Sequence, residues 1–166
     1  MKKILASLML LSLCGLATEA LANDMKIGVV DLQKIVQTSP QMQAIQKKLE
    51  TEFRPRRDAL VAEEKNLREK MDGFKRDAVV MNANTKKDKE RELVSLQQKF
   101  ERAGQQYQQE LNTAHNQAME DFYTKVRASI ASVAKKEKYD LVLQKDAAPF
   151  AAEKLDVTKL VIAEIK

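Results

Sequence analysis

The sequence predicts an α+β protein, mostly α, in which a long antiparallel helical hairpin is inserted into a small β body. Three observations carry this. The two clear strand patterns, "KIGVVDL" (26–32) and "KYDLVLQ" (138–144), stand at opposite ends of the chain. Between them apolar residues recur at helical spacing with one interruption. Charged residues make up 32% of the chain and aromatic residues 5%, with no tryptophan, which suits long solvated helices better than a compact globule.

The first 22 residues read as a targeting segment. Lys2 and Lys3 precede an apolar run from Ile4 to Leu16, and Ala20-Leu21-Ala22 supplies the small-residue pattern of a cleaved secretory signal, with cleavage after Ala22. The apolar run falls short of the roughly 20 residues that span a bilayer. Lipidation at Cys14 is the alternative, but Leu13 stands where a small residue is normal. Cys14 is the only cysteine, so the mature chain has neither a disulfide nor a thiol nucleophile. Lys2, Lys3 and Glu19 leave with the signal, which lowers the formal charge from +5 by one. That surplus favours acidic partners without dictating one.

The strand at 26–32 is followed by Ser39-Pro40, a helix start in which serine caps free N–H groups and proline occupies the first helical position. The arm is predicted over 39–138, with its tip near 82–86 inside "MNANTKKDK", where Asn82, Asn84 and Thr85 favour turns. Phe53, Leu60, Leu67, Phe74 and Met81 form the apolar seam of the first arm, and Leu93, Leu96, Phe100, Ala103, Tyr107, Leu111 and Ala114 lead that of the second. A turn between Ala83 and Asn84 pairs Phe74 with Leu93, Leu67 with Phe100, Leu60 with Tyr107 and Phe53 with Ala114. Residues 23–38 and 139–166 form the β-rich body. There "AAPFAA" (147–152) is a possible edge strand, and Asp156 caps a short closing helix carrying Leu160, Val161 and Ile165. A body this small buries little and leaves sheet edges open, so self-association is expected.

Cleaved signal, "KIGVVDLQKIV", a long charged hairpin, "KYDLVLQKDA" and a terminal "DVTKLVIAEIK" together resemble the Skp/OmpH family of periplasmic chaperones, across the whole mature chain. The resemblance implies a homotrimer whose strands build a shared barrel and whose three arms project like tentacles around a cavity. It also implies a periplasmic holdase that keeps unfolded outer-membrane proteins from aggregating, without nucleotide or other cofactor. Some members are thought to carry a basic lipopolysaccharide-contacting cluster on the second arm. This chain has no Lys or Arg between Arg102 and Lys125, so that site is not carried over and membrane or lipopolysaccharide contact stays open.

The residue inventory gives no catalytic or metal site: His115 is the lone histidine, and none of the four glycines forms a phosphate loop. Val79, Val80 and Met81 near the tip lie partly off the seam and are candidates for client contact. So is the basic stretch Lys65, Arg68, Lys70, Lys75 and Arg76, whose plainer reading is a solvated face with i,i+4 pairs. Pro55 sits in a helix interior, where a proline costs about 3 kcal/mol, and the expected register places it opposite Asn112. With Gly73 and Gly104 these are candidate hinge points, against the plainer reading of a tolerated kink. Ile27, Val29, Val30, Leu141, Val142 and Leu143 are the candidate body and trimerisation residues. The main alternative is a structural or adaptor coiled coil of the cell envelope, which would need an unbroken apolar seam; Arg56, Glu63 and Lys70 interrupt it. Nucleic-acid binding is disfavoured by the mixed charges, and an enzyme by the inventory.

Overall fold

A computed structural model describes residues 25–165; the signal segment read at 1–22, with Cys14, lies outside the described residues. The chain forms β1 (Ile27–Val30), α1 (Leu32–Thr38), α2 (Pro40–Asp77), α3 (Ala83–Glu137), β2 (Leu141–Gln144) and α4 (Thr158–Glu164), with single 3₁₀ turns at Lys145–Ala147 and Glu153–Leu155. Helices α2 and α3, of 38 and 55 residues, are the two legs of the hairpin.

Local chemistry sets each boundary. Asp31 caps α1 by accepting from the Lys34 N–H at 2.8 Å. Helix α1 was not foreseen, although Leu32, Ile35 and Val36 carry the i, i+3, i+4 spacing of a buried helical face. Ser39 ends α1 and starts α2: its own N–H bonds to the Ile35 carbonyl, and its side chain accepts from Met42 N–H. The tip differs from expectation. Asn82 is the cap of α3, its Oδ1 accepting from Thr85 N–H at 2.9 Å, so Ala83 onward is helical and the turn spans 78–82 rather than 82–86. At the other end Lys138 takes the left-handed conformation (φ 58°), and Tyr139 N–H bonds back to the Ala134 carbonyl, which turns the chain out of α3 towards β2.

The strands pair in parallel, Ile27 with Leu141 through Val30 with Gln144, so the whole hairpin is the crossover between them. Gly28 sits at a close approach: a Cβ there would meet Val157 Cγ1 at 3.1 Å and the Tyr139 ring at 3.4 Å, so those side chains would have to give way by a few tenths of an ångström. The "AAPFAA" segment is not an edge strand. Ala148 N–H is taken by the Lys145 carbonyl and Pro149 has none, and the bridge to β1 falls later, between Val29 and Asp156. Asp156 Oδ1 bonds the Thr158 N–H, one residue before Val157, which occupies the cap position of α4.

The core lies entirely at the base. Val30, Ile35, Met42, Phe122, Val126, Val133, Val157, Val161 and Ile165 form one cluster, with Val142 and Tyr139 packed against it. Helix α4 is held onto α3 through Glu164, whose carboxylate accepts from the Ser132 hydroxyl at 2.7 Å and from Lys136 Nζ. Gln41 Nε2 donates to the Ile165 carbonyl, tying the start of α2 to the end of the described chain.

Candidate functional site

The surface with the strongest claim to function is the arm, because its seam is built unlike a core. Phe53, 5% exposed, is buried at the lower arm, and between it and Phe122 no residue of α2 or α3 is fully buried. The Phe53 ring meets Tyr107 edge-on at 6.0 Å, with the Arg56 guanidinium over its other side at 5.4 Å. Phe53 therefore packs on Tyr107 and not on Ala114, which lines a cavity with Leu49 nearer the body. Three of the four expected pairs, Leu60 with Tyr107, Leu67 with Phe100 and Phe74 with Leu93, line shared cavities, so the departure is at Phe53, whose partner lies seven residues, about two helical turns, from Ala114.

Above Phe53 the seam holds three open cavities on one side. Leu60, Ala103 and Tyr107 line one of about 330 Å³; Leu67, Leu96 and Phe100 line a second of the same volume; Phe74, Met81 and Leu93 line a third of about 200 Å³. Glu63 borders the first two and Lys70 the second and third, which places all three side by side along the arm. Ion pairs cross over them. Arg56 Nη1 pairs with Glu110, and Lys70 Nζ with Glu92 at 3.1 Å, while Lys89 adds a second bond to Glu92 at 2.9 Å. Hydrogen bonds from Lys89, then from Lys70, hold the Glu92 carboxyl below its ordinary range. These exposed pairs orient the arms more than they stabilise them.

The tip candidates stand out into solvent: Val79 and Val80 are 88% and 87% exposed, whereas Met81 is half-buried in the third cavity. The basic stretch is largely paired. Lys65 faces Glu69, Arg68 Glu64, Lys70 Glu92 and Lys75 Asp72, which leaves Arg76 without an ion pair among the described residues. At Pro55 α2 runs on without interruption, and its neighbour Arg56 pairs across the arm with Glu110. A Cβ at Gly104 would meet nothing within 4 Å and one at Gly73 only the end of Arg76, so neither glycine is imposed by packing.

The body candidates divide by face. Val30 and Val142 turn towards the core, while Ile27, Val29, Leu141 and Leu143 lie on the second face, where Val29, bridged to Asp156, is buried and Leu141 is 42% exposed. Phe150, 86% exposed, stands on the following loop. Lys145 anchors that loop by pairing with Asp31 at 2.9 Å. The Lys145 hydrogen bond, with that from Lys34 N–H, lowers the Asp31 carboxyl from its ordinary value, and Asp31 in turn raises the Lys145 ammonium. Burial pushes the Asp156 carboxyl up, but bonds from the Thr158 hydroxyl and N–H outweigh it and leave it lowered. No group of three or more His, Cys, Asp or Glu poised to hold a metal occurs among the described residues.

A core cluster confined to the base and long arms with little buried along their seam define a class: small-bodied proteins that carry a long helical hairpin. The family follows from comparison, since residues 26–165 match the family described as outer membrane protein (OmpH-like), and the chain belongs to it. Its relatives include the chaperone protein Skp of Pectobacterium atrosepticum, 28% identical over 85% of this chain and 86% of that one. The chaperone proteins Skp of Yersinia enterocolitica (29%, over 92% and 93%) and Photorhabdus luminescens (27%, over the full length of both) are similar too. Among solved structures, a putative OmpH-like outer membrane chaperone of Caulobacter crescentus shares the fold, with a TM-score of 0.77 at 18% identity, over 85% of this chain and 83% of that one. Family and relatives together support a chaperone role.

Proposed function

We propose that the protein is a periplasmic holdase that binds unfolded outer-membrane proteins between helical arms and keeps them from aggregating, without nucleotide and without catalysis. The observation that carries this is the seam: tens of residues of arm with no fully buried side chain between Phe53 and Phe122, bordered by open apolar cavities and ending in two bare valines. Such an arm offers many weak contacts and no single tight one, so a client is shielded yet leaves without an energy source. The relatives named as chaperones point the same way.

The working form is a homotrimer. A two-stranded sheet with an open edge at β2 and a second apolar face bearing Ile27, Leu141 and Leu143 needs cover, and copies of itself supply it by joining strands into a shared barrel. Pro55, with Gly73, Gly104 and Asn112, then lets the arms spread for clients of different size, and Val79, Val80, Met81 and Arg76 meet the client near the tip. The rigid envelope adaptor is the weaker reading, because a spacer needs the packed seam that these cavities interrupt. The test is dilution of a urea-unfolded outer-membrane β-barrel protein into buffer with and without the mature protein, followed by light scattering. Suppressed scattering is expected; scattering unchanged at excess protein refutes the function.

A further inference from the structure

Resting on that reading, we infer that the two ion-pair clusters between the arms, Arg56 with Glu110 and Lys70 with Glu92 and Lys89, are releasable straps over the seam cavities. A client opens them to seat its apolar side chains, and they close again when it leaves.

Among the described residues these clusters hold the only ion pairs and side-chain hydrogen bonds that join α2 to α3. The other ion pairs of the arm, such as Arg57 with Asp58 and Arg91 with Asp88, stay within one helix. Both straps stand in the cavity walls. Arg56 and Glu110 border the cavity of Leu60 and Tyr107, and Glu92 and Lys89 border that of Phe74 and Leu93. Lys70 borders the latter and also the cavity of Leu67 and Phe100. Fourteen positions separate Arg56 from Lys70, so about 21 Å of arm lies between the straps.

What makes the straps releasable is the partner each group keeps when the bond across the arms breaks. Glu110 retains the hydrogen bond from Gln106 Nε2 at 2.8 Å, one turn back on its own helix. Glu92 retains Lys89 Nζ at 2.9 Å, also on its own helix. Arg56 stays over the Phe53 ring. Opening therefore strands no carboxylate, which is the step that makes breaking a buried ion pair expensive. The four side chains that meet across the arms are 39% to 55% exposed, so water takes the place of the lost bond and the open state lies close in energy to the closed one. Above Phe53 no fully buried side chain of α2 or α3 holds the arms together before Phe122, and the straps supply a weak closure there when no client is present.

The test uses the full mature protein carrying Glu92→Gln and Glu110→Gln, which removes the charge from both straps and keeps side-chain length and helix propensity. The control, Asp58→Asn with Asp88→Asn, removes two carboxylates paired only within their own helix. Affinity for a urea-unfolded outer-membrane β-barrel, diluted in the presence of protein, is measured at low and high salt, and sedimentation follows the assembly. At low salt the strap variant should bind about threefold tighter than the wild type, and the control should bind like the wild type. At high salt the straps of the wild type are screened, so the ratio should fall towards one. A strap variant that binds no tighter at low salt overturns the inference, as does a gain that the control matches, that persists unchanged at high salt, or that accompanies a changed assembly. If the wild type itself holds no client, the proposed function fails first; if it holds client and the strap variant gains nothing, the holdase stands and the straps fall.

Discussion

Phe53→Ala separates the arm from the body more cleanly than any other single change. Phe53 is 5% exposed, its ring meets Tyr107 at 6.0 Å, and the next fully buried residue along the described arm seam is Phe122. A buried Phe→Ala change costs about 3 to 5 kcal/mol, and loss of the edge-on pair is included in that figure. The neighbouring cavities are already open to water, which puts the expected loss near the lower end, about 3 kcal/mol. That loss should appear as local opening, because the core cluster of Val30, Ile35, Phe122 and Val161 does not touch Phe53. Native-state amide exchange read per residue is the assay. Amides from about 54 to 112 should exchange roughly a hundredfold faster or more, while those of Ile35, Val126 and Val161 keep wild-type protection. Uniform loss of protection in arm and body, or no change in the arm, would refute the claim that the seam hangs on this one residue.

Asp31→Asn keeps a capping side chain on α1 but removes the charge paired with Lys145. Because the folded carboxyl is lowered, its contribution is present above the unfolded value of about 4 and is lost as pH falls through the folded value. The variant should therefore lose roughly 1 kcal/mol or less at neutral pH and show a flatter acid limb in thermal melts between about pH 5 and 2. Pro55→Ala should stabilise the arm by up to about 3 kcal/mol and slow arm motion in spin-label distance distributions. Unchanged distributions and an unchanged range of held clients would leave the proline a tolerated kink. Leu141→Lys, at the exposed end of the second sheet face, should shift sedimentation towards smaller species with the helical circular dichroism retained; an unaltered assembly would place the interface elsewhere.

What the sequence made legible was local. Ser39-Pro40 announces a helix start because a capping side chain bonds a backbone N–H only three positions away, and that cap stands where the chemistry puts it, whereas Asn82, read as part of the turn, is the cap that ends it. Two strands at the ends of the chain were visible from β-branched runs, but their parallel direction was not, since it depends on which edges meet after a long crossover. Three of the four expected arm pairs share cavities, but the lowest was misread, Phe53 meeting Tyr107 instead of Ala114, because a seven-residue apolar series matches another in several alignments. Helix α1 was missed although Asp31 and the spacing of Leu32, Ile35 and Val36 encode it. The basic stretch from Lys65 to Arg76 looked unbalanced in sequence, whereas in space Glu64, Glu69, Asp72 and Glu92 answer four of its five charges.

The most direct test of the central claim is native mass spectrometry of the mature protein after dilution of a urea-unfolded outer-membrane β-barrel. The account predicts a soluble complex of three copies of this chain with one client, stable without nucleotide. A client that stays unbound, or is held by a single copy, would contradict it.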